Sequence, residues 1–261
     1  MEQGDITIII LIATLTIVLL IVIIIIIFSI FQNRKVKFLF DKEVAKQRFD
    51  EEIIKSKLET QEQTLQNISW ELHDNVGQLL SVARMQLNMV QPSLTEEQKT
   101  LVQDTGDIIS KSLQEIRSLS KLLNPEVVKN IGLHEAIQLE IDRFNRLNYI
   151  NATFDVKGNI TPINQKDEII LFRIVQEFLS NSIKHSKSKK IEITANCTHE
   201  FLKIKIQDYG VGFDENIVKK GSGLLNMKSR AKLINAEFDL KSEKDKGVSL
   251  TLTYPKQKKD V

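Results

Sequence analysis

The feature that most limits the fold of this chain is an uncharged apolar run near its N-terminus, ITIIILIATLTIVLLIVIIIIIFSIF, at residues 6–31. A helix rises about 1.5 Å per residue, so about 20 apolar residues already cross the roughly 30 Å hydrocarbon layer of a bilayer. A signal peptide has a basic start and only about 7 to 15 apolar residues, whereas this run follows Glu2 and Asp5. The run therefore predicts a transmembrane helix.

Basic residues follow the apolar run directly, at Arg34, Lys35 and Lys37. By the positive-inside rule we expect the rest of the chain in the cytoplasm and residues 1–5 outside a plasma membrane that is crossed once. The single cysteine, Cys197, cannot form an intramolecular disulfide, which agrees with a reducing compartment. The formal net charge is +2 with acidic and basic residues interspersed, so we expect no direct nucleic-acid binding.

Two amphipathic helices are predicted after the membrane span. The first is charged and runs over residues 33 to about 90, with apolar residues at steps of three and four, and Pro92 ends it. The sequence TEEQ from Thr95 has the form of a capping box and starts a second helix, which ends before Pro125. A lone hairpin leaves its apolar stripe in water, so we expect two copies to form a four-helix bundle in a homodimer.

The pattern changes after Pro125, where helical and strand periods alternate. The order is a helix, a strand, a helix, two strands, a glycine-rich loop, a helix and two strands, which predicts an α+β domain with a helical layer on a mixed sheet. The predicted regions are an external N-terminus (1–5), a transmembrane helix (6–31), a signalling helix or coiled coil (32–65), a dimerisation module (66–123), a second domain (124–256) and a basic tail (257–261).

Three short stretches in the second domain fit a nucleotide. The first, DYGVGFD at residues 208–214, follows a predicted strand. Asp208 can accept a hydrogen bond from an adenine amino group, and Gly210 and Gly212 allow the backbone to approach the base or the phosphates closely.

The second stretch, GSGL, contains Gly221, Gly223 and Leu224 and opens a helix, whose N-terminus presents free N–H groups to phosphate. In the third, QEFLSNSIKH, Glu177 and Asn181 are four residues apart on one helical face. That placement can bring an amide oxygen to a magnesium ion whose other ligands are waters and phosphates.

These stretches carry a family resemblance. Residues 125–255 resemble the ATP-binding domain shared by histidine kinases, gyrase-type ATPases and Hsp90, with EFLSN similar to its N box and DYGVGFD and GSGLLNM similar to its two glycine boxes. Residues 66–123 resemble the dimerisation and phosphoacceptor module of the nitrate/nitrite type of sensor kinase. Its signature, His-Asp-x-x-x-Gln, is present as His73, Asp74 and Gln78.

The resemblance implies a role for each residue of the stretch ELHDNVGQLLS. His73 is the implied nucleophile toward the γ-phosphate of ATP, and Asp74 is the implied base, since a neighbouring carboxylate can hold one imidazole tautomer and take its proton. Gln78, which shares a helical face with Asp74, would orient the water that dephosphorylates a partner regulator. Gly77 costs roughly 1 kcal/mol relative to alanine in a helix, and we interpret it as room for a bulky domain to approach His73.

The resemblance also implies roles in the ATP-binding domain. Asn181 is the implied Mg²⁺ ligand, Glu177 the residue that polarises the site, and Lys184 a phosphate contact, whereas His185 is expected only to cap the helix end. Relatives place a pair of threonines after the last glycine, but this chain has the sequence GVS there. A hydroxyl near the adenine is therefore expected only from Ser249.

The sequence as a whole predicts a bacterial, membrane-anchored sensor histidine kinase that uses ATP and Mg²⁺. Its phosphoryl group would pass to an aspartate of a separate response regulator with a helix-turn-helix output domain, which the chain would also dephosphorylate. Because the expected external segment is so short, the signal is expected from the membrane or from a sensory membrane partner. The alternative is a dimeric scaffold with weak kinase activity, or a regulator phosphatase that acts through Gln78.

Overall fold

The structure is a computed structural model that describes residues 3–158, 163–213 and 222–256. It divides into two units, Met1–Ile54 and Lys55–Val261. The first helix, α1, extends over Gln3–Glu71. It includes a segment with a mean hydropathy of 3.3, long and apolar enough to cross a membrane. This segment is the candidate membrane span that the sequence predicted.

An antiparallel helical hairpin opens the second unit. The end of α1 leads into a π turn (Leu72–Val76), α2 (Gly77–Val90), a 3₁₀ turn (Gln91–Ser93) and α3 (Glu96–Leu123). Ser69 and Ser120 join the two arms, because each buried hydroxyl donates to the other residue's carbonyl oxygen, at 2.9 and 2.8 Å. The predicted capping box is present, with the Thr95 N–H donating to Gln98 Oε1 at 3.1 Å. The predicted helix to about residue 90 is present, since the chain is helical to Val90, with the π turn inserted within it.

The remaining elements form the predicted α+β domain. They are α4 (Pro125–Arg146), β1 (Asn151–Lys157), α5 (Gln165–Asn181), a second π turn (Ser182–Ser186), β2 (Lys190–Cys197), β3 (Phe201–Asp208), α6 (Ser222–Leu233), β4 (Glu237–Glu243) and β5 (Gly247–Pro255). The strand order is β1-β2-β3-β5-β4, with β1 and β2 parallel and the other neighbours antiparallel. The sheet is therefore mixed, as predicted.

The core lies between the sheet and the helices. Side chains of β2 and β3 alternate between buried and more exposed positions, so one face of the sheet is covered by the helical layer. The fully buried large side chains of this layer and sheet include Ile137, Phe172, Leu179, Ile193, Ile204 and Met227. Cys197 is buried and free.

The helix that the sequence predicts over GLHEAIQLEIDRFNRL, residues 132–147, begins earlier, at Pro125, and is kinked. The Asn124 side chain accepts a hydrogen bond from the Glu126 N–H at 3.0 Å, and Pro125 occupies the first helical position, where its missing N–H costs nothing. Gly132 then departs from helical geometry with φ 82° and ψ 166°, so the prediction from residue 132 onward captured only the second segment of α4.

Candidate functional site

A cavity of about 530 Å³ lies in the α+β domain. This volume lies within the range of small-molecule sites, roughly 300–1,000 Å³. Its walls come from α5, the second π turn, the end of β3, the start of α6, and β4 and β5. The lining residues are Glu177, Phe178, Asn181, Ser182, Lys184, His185, Ser186, Asp208, Gly212, Phe213, Gly223, Leu224, Met227, Leu240 and Val248.

Asp208 is a buried carboxylate on the cavity wall, with an exposed fraction of 1%. Its Oδ1 accepts hydrogen bonds from the N–H of Gly210 at 3.0 Å and from the N–H of Val248 at 3.2 Å. Its Oδ2 accepts a hydrogen bond from the Ser182 hydroxyl at 2.9 Å. These three donors offset the cost of burying the charge and fix the carboxylate in one orientation.

The glycines after Asp208 make room for neighbouring backbone. A Cβ on Gly210 would lie 2.1 Å from the Ser186 carbonyl oxygen, and a Cβ on Gly212, whose φ is +59°, would lie 2.1 Å from the Glu243 carbonyl oxygen. The Val211 N–H donates to the same Ser186 oxygen at 2.8 Å. We expected these glycines to admit a ligand, whereas the structure shows them packing the loop against the π turn and β4. Only Gly212 also lines the cavity.

Glu177 and Asn181 face the start of α6 from one side of α5. A Cβ on Gly223 would lie 2.4 Å from Glu177 Oε1 and 3.1 Å from Asn181 Nδ2, so the glycine leaves space beside both polar groups. Carboxylate and amide oxygens are ligands that Mg²⁺ accepts together with waters and phosphates, so these two residues fit that ion. Leu224 lines the same wall. Gly221 lies outside the described residues.

The second π turn carries two further polar side chains of the cavity. Lys184 and His185 are both exposed and both line it. His185 lies at the helix end, as expected, within the π turn that follows α5, and it also lines the cavity. Sequence analysis also missed Ser182, since its partner Asp208 is 26 residues away.

The structure does not bring Ser249 into the cavity. Val248 lines the cavity and is buried, whereas Ser249 is half-buried and lies between Val248 and Leu250 on the strand. Successive side chains of a strand point to opposite faces of a sheet. Ser249 therefore lies on the sheet face opposite Val248 and is not among the residues that line the cavity, whereas Ser182 and Asp208 are polar side chains that do.

His73 and Asp74 form an exposed pair in the first π turn. The distance from His73 Nδ1 to Asp74 Oδ1 is 2.8 Å, and each side chain is 65% exposed. A carboxylate only accepts hydrogen bonds, so Nδ1 carries the proton of this contact and the lone pair of a neutral ring lies on Nε2. Gln78 is exposed at the start of α2. The predicted shared helical face of Asp74 and Gln78 assumes regular α-helical spacing, and the π turn changes that spacing.

Gly77 has a different role from the one expected. It is buried, and its N–H closes the π turn by donating to the Leu72 carbonyl oxygen. An added Cβ would lie 3.4 Å from that oxygen and 3.9 Å from Leu113 Cδ1 of α3. Gly77 therefore faces the inside of the hairpin, so it does not provide open space beside His73.

Sequence analysis also missed a buried arginine that joins α5 to the hairpin. Arg173, with 3% exposure, donates from Nε to Glu62 at 3.0 and 3.1 Å, and its other nitrogens donate at 2.8 Å to the carbonyl oxygens of Leu122 and Leu123. Arg230 of α6 lies 3.8 Å from the same Glu62. Burial lowers the pKa of Arg230, and the nearby Glu62 carboxylate opposes that shift. An arginine within the apolar run IILFRIV was the only sequence signal.

Comparison with known proteins assigns both regions. Residues 166–258 match the family of histidine kinase-, DNA gyrase B- and HSP90-like ATPases, and residues 65–128 match a histidine kinase family. The chain is 32% identical over 200 residues to the sensor protein VraS of Staphylococcus saprophyticus, a match that covers 75% of this chain and 56% of VraS. It is 26% identical over 203 residues to the oxygen sensor histidine kinase NreB of Staphylococcus carnosus, covering 76% of this chain and 58% of NreB.

The chain thus spans a little over half the length of these two relatives. Among solved structures, it is similar to the histidine kinase domain of the blue-light activated histidine kinase of Erythrobacter litoralis. That match has a TM-score of 0.43 and 16% identity, and it covers 68% of this chain and 94% of the other.

Proposed function

The chain belongs to the histidine kinase family, and on that premise we propose that it is a membrane-anchored sensor kinase that phosphorylates its own His73 from ATP. The observation that carries this proposal is the exposed His73–Asp74 pair, in a chain that also has a nucleotide-sized cavity within an ATPase-type domain. An unmodified imidazole held in one tautomer by a carboxylate is a suitable nucleophile toward phosphorus.

The chemistry follows from the tautomer. Nε2 of His73 attacks the γ-phosphorus, the bond from that phosphorus to the oxygen bridging to the β-phosphate breaks, and ADP leaves. The positive charge that develops on the ring is stabilised by Asp74, which accepts the Nδ1 proton as a base. With 65% exposure, both side chains are accessible to a second domain.

The donor side of the reaction uses the cavity. We assign Asp208 to the adenine amino group, the N-terminal turn of α6 with Gly223 and Leu224 to the phosphates, and Lys184 to a phosphate oxygen. Bound Mg²⁺ would neutralise phosphate charge, with Asn181 as its protein ligand. Glu177, beside Gly223, polarises this end of the site. Gly221 belongs to the same proposed phosphate segment.

A homodimer is part of this proposal. Apolar side chains on the hairpin are widely exposed in the single chain, among them Leu79 (70%), Met89 (71%), Leu101 (69%) and Ile108 (64%). A second copy packed against these surfaces would bury them in a four-helix bundle, which is the usual way in which such hairpins complete a core.

The partner reaction is transfer to a response regulator with a helix-turn-helix output domain. An aspartate oxygen of the regulator attacks the phosphorus on His73, the P–N bond breaks, and the imidazole is regenerated. Gln78, exposed beside the same turn, would orient the water that dephosphorylates the regulator. We propose that α1 crosses the plasma membrane of a bacterium once, with its N-terminus outside, and passes on a signal from the membrane or from a sensory membrane partner.

The test is phosphoryl labelling of the full chain in lipid nanodiscs with γ-labelled ATP and Mg²⁺, beside His73→Gln and Asn181→Ala. Label on the parent chain alone, stable in base and lost in acid, is the expected result for phosphohistidine. Label on His73→Gln would refute the phosphoacceptor assignment, and label on Asn181→Ala would refute the magnesium assignment. A folded, dimeric parent chain without label would instead favour the alternative of a scaffold or a regulator phosphatase.

A further inference from the structure

Within the described parts of the chain, Asp208 has one hydrogen-bonding position without a partner, on the oxygen that faces Ser182. A carboxylate oxygen accepts about two hydrogen bonds. Oδ1 already accepts two, from the N–H groups of Gly210 and Val248. Oδ2 accepts one, from the Ser182 hydroxyl. The open position therefore lies on the oxygen whose orientation Ser182 controls.

Ser182 is held so that its oxygen can only accept from a ligand. It is buried, with 4% exposure, and it begins the second π turn directly after Asn181. Its single hydroxyl proton is donated to Asp208, which as a carboxylate offers no proton in return. Both residues line the cavity. This wall thus presents two hydrogen-bond acceptors side by side, 2.9 Å apart.

We propose that Ser182 is a specificity-determining residue that, together with Asp208, selects a nucleotide base with an exocyclic amino group. The inference rests on the proposed ATP-binding function and extends it. Because Asp208 Oδ2 and Ser182 Oγ are only 2.9 Å apart, one N–H of an amino group can be shared between them as a three-centre hydrogen bond. A base with a carbonyl oxygen at that position brings a third acceptor, and a base with only hydrogen there leaves both acceptors unpaired.

The Ser182 hydroxyl serves recognition of the base, whereas the backbone N–H groups hold Asp208 in place. Without the Ser182 hydroxyl, Asp208 keeps its two backbone donors on Oδ1 but loses the side-chain donor that orients Oδ2. The penalty then falls on a ligand that uses Oδ2 and Oγ together. A base without the amino group makes neither contact, so its binding is unaffected by the same change.

The experiment compares two nucleotides on matched variants of the full chain in nanodiscs, all in a His73→Gln background so that ATP is not consumed. The probes are ATP and purine riboside 5′-triphosphate, which has hydrogen in place of the amino group. We expect the Ser182 parent to prefer ATP by about tenfold or more, as hydrogen bonds to a charged acceptor allow. Ser182→Ala should weaken ATP by about the same factor while leaving the analogue within about twofold.

Two further variants make the result decisive. Ser182→Thr keeps a hydroxyl and should keep the preference for ATP, and Ser180→Ala, two residues earlier on α5 and outside the cavity lining, should change neither nucleotide. Equal weakening of both nucleotides in Ser182→Ala, or no weakening, would overturn the proposal while leaving ATP binding intact. A parent chain that binds neither nucleotide would overturn the ATP-binding function itself, and this proposal with it.

Discussion

The contact between Arg173 and Glu62 allows the sharpest prediction about stability. It joins α5 of the ATP-binding domain to α1, 111 residues earlier in the sequence. Arg173 also donates to the carbonyl oxygens of Leu122 and Leu123, at the end of α3. Carbonyls at a helix C-terminus have no partner within the helix and are stabilised by a cation. The perturbation is therefore a double-mutant cycle of Glu62→Gln and Arg173→Met.

The expected magnitude follows from the burial of the two partners. Arg173 is 3% exposed and Glu62 is 24% exposed, so solvent screens this pair in part. Breaking a fully buried pair costs about 3–5 kcal/mol. Partial screening lowers the cost of Arg173→Met, but the carbonyls of Leu122 and Leu123 also lose their donor, so we expect about 3 kcal/mol. Glu62→Gln keeps one acceptor oxygen and should cost about 1–2 kcal/mol. The double variant should cost about 1–2 kcal/mol less than the sum.

The assay is urea denaturation of the full chain in detergent micelles, followed by the fluorescence of Trp70, the single tryptophan. Free energies are compared only among variants with the same dependence on urea concentration, since a changed slope means a changed unfolding transition. Glu59→Gln, at an exposed position three residues earlier on α1, is the matched control and should lie within about 0.5 kcal/mol of the parent. Single effects that add within about 0.5 kcal/mol would refute the direct coupling.

Three further predictions use the same denaturation assay. Gly77→Ala should raise the unfolding free energy by up to about 1 kcal/mol, because the added Cβ meets only ordinary contacts and helical glycine is costly; a loss of stability would contradict this. Gly210→Ala should lower it by about 1–3 kcal/mol, because its Cβ would overlap the Ser186 backbone, and an unchanged midpoint would contradict that. Burial and the hydrogen bond to Asp167 raise the pKa of Tyr254. The folded chain then holds more protons than the unfolded one above about pH 10, so stability should fall as pH rises there, and Tyr254→Phe should flatten this fall.

Element boundaries were predictable where local chemistry decides them. The alternation in KIEITANC and EFDLKSE gives β2 and β4 with the bounds that the structure shows, 190–197 and 237–243. The capping box at Thr95 and the proline at 125 similarly define the ends of α3. The same alternation in VSLTLTYP already groups Ser249 with Thr251 and Thr253 on the polar face of β5, so a signal against Ser249 as a cavity residue was present in the sequence.

Contacts between distant segments were not predictable in this way. Nothing local to Ser182 indicates that its hydroxyl meets Asp208, and nothing local to Glu62 indicates Arg173, because those pairs depend on how α5 packs against β3 and against α1. A polar residue inside an apolar stretch showed only that a partner was needed, since buried polar groups are nearly always hydrogen-bonded. It did not show which partner.

The two π turns are the main difference between the helices that the sequence pattern predicts and those in the structure. They occur at the two stretches that carry the proposed chemistry. A π turn adds a residue to a helical turn and is frequently found at functional sites. At Leu72–Val76 the extra residue leaves His73 and Asp74 exposed while Gly77 closes the turn from the inside of the hairpin. At Ser182–Ser186 the extra residue changes the directions of the side chains, relative to those of a regular helix. Several side chains of this turn line the cavity.

A regular periodicity argument assigns each residue of a helix to a face by counting 3.6 residues per turn. That count fails downstream of an inserted residue, because every later side chain is rotated relative to the earlier ones. This explains why Gly77 was assigned to the open side of the helix and is found inside. The same irregularity that misleads the pattern is therefore what separates the exposed His73–Asp74 pair from the buried face of the hairpin.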